Sequence, residues 1–198
     1  MFEVLAVTER WVLIDKHPDV SFHREDADIG LLDALRAATG LPALYPVHRL
    51  DAITSGLLLF ARDPATAAAL GRAWQAGEVG KLYLAIAPGK PSKKQGWVKG
   101  DMEKSRRGGW KLLHSRVNPA VTWFDSVSLA PGLRLYLLRP YTGRTHQLRV
   151  ALKSLGAPIL GDALYGPAQH DSDRGYLHAA LLSFALDGQR WTYTCLPS

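Results

Sequence analysis

The sequence predicts an α+β fold built on a largely antiparallel sheet, and three observations carry that expectation. Strand-like segments outnumber helical ones without the regular alternation of βαβ units; Pro131-Gly132 joins one pair of strands, and Gly188 closes another. Phe2 to Thr8 and Trp11 to Lys16 read as short strands separated by Glu9-Arg10. A helix follows from Gly30 through Leu31, Leu32 and Leu35 to a stop at Gly40, after which Pro42 and Pro46 impose an extended approach to His48. The run Leu57 to Ala61 is an apolar strand. Asp63 caps the next helix with Pro64 in its first turn, and Ala67, Leu70, Gly71 and Trp74 recur at helical spacing until Gly77. Lys81 to Ala87 is a further strand, and Gly89 to Gly109 reads as a basic excursion from the sheet. Strands resume at Ala120 to Leu129 and Leu133 to Arg139. A helix capped near Thr145 then carries Leu148, Ala151, Leu152 and Leu155 on one face and stops at Gly156 and Pro158. His178 to Leu186 and Arg190 to Cys195 complete the sheet.

With 198 residues, 47% of them apolar, the chain has enough material for one substantial core, so a single domain over 1–198 is expected, with no separate N-terminal domain. No apolar run approaches the roughly 20 residues that span a bilayer, and the first residues are not those of a signal peptide. A cytoplasmic protein without a membrane partner is the expectation. The single cysteine, Cys195, rules out an internal disulfide and reads as a packing residue.

Charge is unevenly placed. Between Lys81 and Arg116 lie ten Lys or Arg against Asp101 and Glu103, a local charge of +8 in a chain whose total is +6. A polyanion suits such a stretch, because each phosphate contacted releases counterions regardless of sequence. Trp97 and Trp110 are interleaved with these charges and offer flat faces to unstacked bases, whereas the alternative is a solvated loop with both indoles folded onto the core. Lys93, Lys94, Arg106 and Arg107 are the candidate phosphate contacts.

The segment His48-Arg49-Leu50-Asp51-Ala52-Ile53-Thr54-Ser55-Gly56 places a carboxylate in a turn that runs into the Leu57 to Ala61 strand. A turn at the edge of a rigid sheet holds its side chains in fixed positions, which suits chemistry at Asp51, although a surface Asp in a turn is equally ordinary. This segment resembles the signature of the RluA-type family of RNA pseudouridine synthases. Lys81-Leu82-Tyr83-Leu84-Ala85, Gly143-Arg144-Thr145-His146-Gln147-Leu148-Arg149, Pro158 to Gly166 and Leu177-His178-Ala179 match further landmarks of that family in the same order. The resemblance implies the pseudouridine synthase fold, a largely antiparallel mixed sheet flanked by helices and loops with a central active-site cleft.

It also implies the reaction: a uridine in ribosomal or transfer RNA is cut between N1 and C1′, turned, and rejoined through C5. The change is redox-neutral and needs neither cofactor nor metal. Asp51 is implied as the catalytic carboxylate, acting as nucleophile, proton acceptor or stabiliser of positive charge at the sugar carbon. Arg144 is implied as its guanidinium partner, favouring the ionised form. Tyr83 is implied to stack on the uracil and help remove the C5 proton, with Leu148 on the opposite side of the base. Because a stacked base is out of reach of such a carboxylate, the uridine must be flipped, and Arg49 is a candidate to fill the gap or to hold phosphate. His48, Thr54 and His146 are expected to orient loops or touch RNA; the two histidines have no third ligand at motif spacing for a metal. The partner is RNA, and the chain is expected to act as a monomer.

Ala151 and Ala157 stand where relatives often have His, Lys16-His17-Pro18 replaces the more usual Lys-Pro, and Phe184 to Asp187 lacks the common His-Pro ending. None of these touches Asp51, Tyr83 or Arg144. Two rival readings use the same residues. An RNA-binding module would need only the basic stretch, and a hydrolase of the N-glycosidic bond would need a second acid-base group that no acidic motif beside Asp51 supplies.

Overall fold

Where the strands fall is set by apolar alternation and by turn residues at their ends. The computed structural model describes residues 1–21, 30–167 and 172–197. In chain order these form β1 (Phe2–Val7), β2 (Trp11–Lys16), α1 (Leu31–Thr39), β3 (Tyr45–Pro46), β4 (Thr54–Ala61) and α2 (Pro64–Gln75). There follow β5 (Gly80–Pro88), β6 (Gly96–Gly100), β7 (Met102–Lys104), β8 (Trp110–Leu112), β9 (Ala120–Ala130) and β10 (Leu133–Pro140). Last come α3 (Gln147–Ser154), β11 (Leu177–Leu186) and β12 (Gln189–Thr194). The α+β class with largely antiparallel pairing is the observed one. The chain divides into two compact units, residues 1–81 with 178–198, and residues 82–177.

In the first unit β1, β2 and β4 pair antiparallel in that order, β11 lies next to β4, and β12 returns on β11 through Asp187-Gly188, both left-handed as a tight hairpin turn demands. Every residue of β4 is buried, so both faces are covered and the strand reads as a continuous apolar run. Leu57, Leu59 and Ala61 pack with Trp11, Leu70 and Phe184, while Leu58 and Phe60, on the other face by alternation, are equally sealed. The helix α2 begins where expected. The Asp63 carboxylate accepts the Thr66 N–H at 2.8 Å and the Thr66 hydroxyl at 2.6 Å, which holds that carboxyl below its ordinary pKa.

In the second unit β5, β10, β9 and β6 form an antiparallel series. Val98, Phe124, Tyr136 and Leu138 face a core that also holds Leu148, Leu152 and Leu155 of α3 and its following turn. The basic stretch is only in part the excursion from the sheet that the sequence suggested, because one of its segments joins the sheet as an end strand and two others pair apart from it. Gly96 to Gly100 pairs with Ala120 to Phe124, and Met102 to Lys104 pairs with Trp110 to Leu112. Its glycines and charges disguise the strand because only Val98 and Gly100 face inward. The leading loop is tied as well, by Gly89 N–H to the Gly132 carbonyl, Ser92 N–H to the Leu155 carbonyl and the Ser126 hydroxyl to the Lys94 carbonyl. Among the described residues no helix is long and apolar enough to cross a membrane.

Candidate active site

Asp51 sits in a turn whose neighbours are buried on either side. Leu50, Thr54 and Ser55 are buried, Arg49 is exposed, and Asp51 itself is half-buried, so its carboxylate is not sealed in the apolar interior. The Thr54 N–H closes the turn on the Asp51 backbone carbonyl at 3.0 Å. Thr54 therefore supports the turn from beneath.

Three further groups hold that turn. His48 accepts the Leu59 N–H on Nε2 at 3.0 Å and stacks on Trp74 with ring centroids 4.6 Å apart. Burial, reinforced by the charge of Lys81, lowers its pKa to about 3, so at neutral pH it is an uncharged anchor with its proton on Nδ1. Lys16 is fully buried, and its ammonium donates to the carbonyls of His17, Val20 and Ala52 at 2.9, 2.9 and 3.0 Å. Desolvation lowers its pKa to about 8, and the charges of Asp19, Asp51 and Asp15 oppose that fall. Ser55 meets His178 Nδ1 at 2.9 Å, and His178 Nε2–H donates to the Cys195 carbonyl at 3.0 Å, which makes the Leu177-His178-Ala179 landmark a brace for the strand beneath the turn. The Cys195 thiol donates to Asp15 at 3.2 Å, and burial followed by that carboxylate pushes its pKa up to about 12. It is an inert packing thiol.

Lys16 has a pH signature. Its folded pKa lies below the unfolded value of 10.5, so the unfolded chain binds more protons between about pH 8 and 10.5, and stability rises with pH across that window. Measured by urea unfolding, the stability of the wild type relative to Lys16→Met should rise by about 3 kcal/mol between pH 7.5 and 10.5. A difference that stays flat with pH contradicts the buried ammonium.

In the second unit, Tyr83 lies on β5 opposite Leu138 and packs, half-buried, against the cluster that contains Leu148. The helix carrying Leu148 starts at Gln147, later than the expected cap at Thr145, because His146 takes a left-handed conformation, φ 56°, in the N-cap position. Thr145 makes no cap. Instead the Gln147 side chain accepts the Arg144 N–H at 3.0 Å and the Thr142 hydroxyl at 2.7 Å, and donates to Val121 and Thr122. The Arg144 guanidinium donates to the Asn118 side-chain oxygen. His146 Nδ1 meets the Tyr165 hydroxyl at 2.8 Å, and that hydroxyl also accepts the Trp110 N–H at 2.8 Å. Arg149 makes a buried two-pronged pair with Asp162 at 2.7 and 2.8 Å, so the Gly161-Asp162 landmark clamps α3. Lys93, Lys94, Arg106 and Arg107 are all exposed.

A family model described as RNA pseudouridylate synthase matches residues 10–154. The chain belongs to that family. It is 46% identical over 196 residues, 99% of this chain and 88% of the other, to an uncharacterized RNA pseudouridine synthase of Haemophilus influenzae. It is 36% identical over 157 residues to the dual-specificity RNA pseudouridine synthase RluA of Vibrio cholerae, covering 77% of this chain and 64% of that one. Among solved structures it superposes on human RNA pseudouridylate synthase domain containing 1 with a TM-score of 0.83 at 26% identity, over 100% of this chain and 84% of that chain. The protein is thus an RNA pseudouridine synthase of RluA type, an isomerase acting on RNA.

For this synthase, sequence reasoning missed four residues that set the geometry: Lys16 under the Asp51 turn, Asn118 on Arg144, Gln147 at the start of α3, and Asp101. The Asp101 carboxylate accepts the N–H groups of Val117 and Asn118 at 3.0 and 2.8 Å. A hydrogen bond from Ser115, then those amides, hold its pKa below the ordinary carboxylate value. Asp51 belongs to one compact unit, and Tyr83, Arg144 and Leu148 to the other.

Proposed function

We propose that the protein converts a specific uridine of a structured ribosomal or transfer RNA to pseudouridine, with Asp51 as the catalytic carboxylate. Supporting this reading is a half-exposed carboxylate on a turn braced by Thr54, His48 and Lys16, in a chain of this family. Asp51 acts at C1′ as nucleophile, proton acceptor or electrostatic stabiliser while the N1–C1′ bond breaks. The uracil turns, C5 bonds to C1′, the C5 proton leaves to solvent, and N1 ends protonated. Atoms and electrons balance without a cofactor.

In this reading Tyr83 stacks on the uracil and assists loss of the C5 proton, Leu148 closes the other side of the base, and Arg144 is a further catalytic residue. Arg49 fills the space the flipped uridine vacates or grips its phosphate, His146 orients its loop near the RNA, and Thr54 and His48 keep the catalytic turn in place. In this reading residues 1–198 work as one catalytic domain and as a monomer. Tritium release from RNA labelled at uridine C5 tests it, because solvent exchange at C5 accompanies isomerisation. Binding without release points to a module that only holds RNA, and free uracil points to a hydrolase. Mapping pseudouridines in total RNA with and without the protein then assigns the site.

The basic stretch supplies binding that is independent of sequence. Changing Lys93, Lys94, Arg106 and Arg107 together to Ala should weaken binding of every RNA tested and flatten the dependence of log affinity on log salt by about 3 in slope. An unchanged slope, measured by fluorescence anisotropy, returns these side chains to simple solvation.

A further inference from the structure

Beside β6 lies a cleft of about 340 Å³, lined among others by Lys93, Trp97, Lys99, Leu112, Arg116 and Leu155. That size falls in the range of roughly 300–1,000 Å³ usual for small-molecule sites. Its lining is divided by chemistry: Leu112 and Leu155 are apolar, whereas Lys93, Lys99 and Arg116 are exposed cations.

Of the two tryptophans in the basic stretch, Trp110 is half-buried, and its backbone is tied to Tyr165. Trp97 is 47% exposed. Strand register puts Trp97 opposite Trp123 and Trp123 opposite Arg139, so the three share one face of the sheet, while Val98, Thr122 and Phe124 point into the core. The Tyr141 ring lies 5.2 Å from that of Trp97, Lys99 Nζ stands 4.6 Å from the Trp97 ring, and the Arg139 guanidinium 5.0 Å from the Tyr141 ring. Aromatic faces alternating with cations suit nucleobases and their phosphates together.

Asp101 spends its carboxylate on the loop that presents Arg116, and Glu103 pairs with Lys111 at 2.9 Å, so both acids of the stretch are engaged elsewhere. Ser92, fastened to the Leu155 carbonyl, fixes the backbone beside Lys93.

We propose that this edge is a second nucleotide subsite, where an unpaired base of the substrate RNA stacks on Trp97 while its phosphates cross Lys93, Lys99 and Arg116. The proposal rests on RNA being the substrate, as in the function proposed above. It distinguishes this face from the phosphate-only contacts of Arg106 and Arg107, because it selects single-stranded over duplex RNA.

The test compares affinities for a short fluorescein-labelled oligouridylate and for duplex RNA of equal length. Trp97→Ala should weaken single-strand binding on the order of tenfold, with duplex affinity and salt slope nearly unchanged. Trp97→Phe, which keeps a stacking face, should retain most of the affinity, and Arg116→Ala should lower the salt slope by about 1. Equal single-strand affinity in wild type and Trp97→Ala, or equal losses for single strand and duplex, overturns the subsite. So does a loss in Trp97→Phe as large as in Trp97→Ala when both keep the wild-type thermal midpoint. No isomerase activity enters this readout, so absent tritium release from the wild type sinks the proposed reaction and leaves the subsite standing, and the converse also holds.

Discussion

Asp51→Asn should lower C5 tritium release on the order of 10⁴-fold or more while RNA affinity is retained. The substitution removes a charge and keeps the volume. It leaves intact the Asp51 backbone carbonyl on which the Thr54 N–H closes the turn. Loss of a negative group beside RNA phosphates should, if anything, tighten binding slightly. The effect belongs in kcat, since in the proposed reaction the carboxylate acts on the sugar carbon only as the glycosidic bond breaks. Thermal midpoint and anisotropy titration supply the controls. Turnover within tenfold of wild type removes Asp51 from the reaction centre, and lost affinity without a change in kcat makes it a binding group.

Gly56→Ala carries the second large effect. Gly56 has φ +105°, a conformation L side chains rarely adopt, and a Cβ there would stand 2.4 Å from the Ala179 carbonyl oxygen and 2.6 Å from its nitrogen. Both neighbours are backbone, so neither swings aside. Strand β11 must shift, and with it the Ser55 to His178 hydrogen bond that braces the strand beneath the Asp51 turn. The cost exceeds about 3 kcal/mol, which lowers the thermal midpoint by about 10 °C or more in a chain of this size. Gly71→Ala is the internal control: it lies inside α2 with nothing within 4 Å of an added Cβ, and it should stabilise the protein by about 0.5–1 kcal/mol. A Gly56→Ala protein as stable as wild type means that the close approach of these two strands is wrong.

The two glycines show why one part of the chain was legible and another was not. The Thr-Ser-Gly segment was visible as a motif, but the need for glycine comes from Ala179, more than a hundred positions away, which no local pattern reports. The helix after His146 is a similar case. Its apolar face was readable, yet its true first residue depends on Gln147 reaching Val121 and Thr122 on β9. Strand β6 was missed because periodicity weighs apolar side chains, and an outer strand with two inward positions offers few. Trp97 and Trp110 looked equivalent in the basic stretch; strand placement left the first indole open and the second half-buried.

By itself the sequence determined the α+β class, the three helices and the long strands, the family and therefore the reaction, because each is written in short-range patterns: alternation, capping, turn dipeptides and ordered motifs. Tertiary structure decided which partners those motifs meet. Lys16 under the Asp51 turn, Asn118 on Arg144, Asp162 on Arg149 and the neutral state of His48 depend on strand register and burial. Hydrogen bonds and desolvation act over a few ångströms between residues far apart in the chain, so they exist only once the chain has folded.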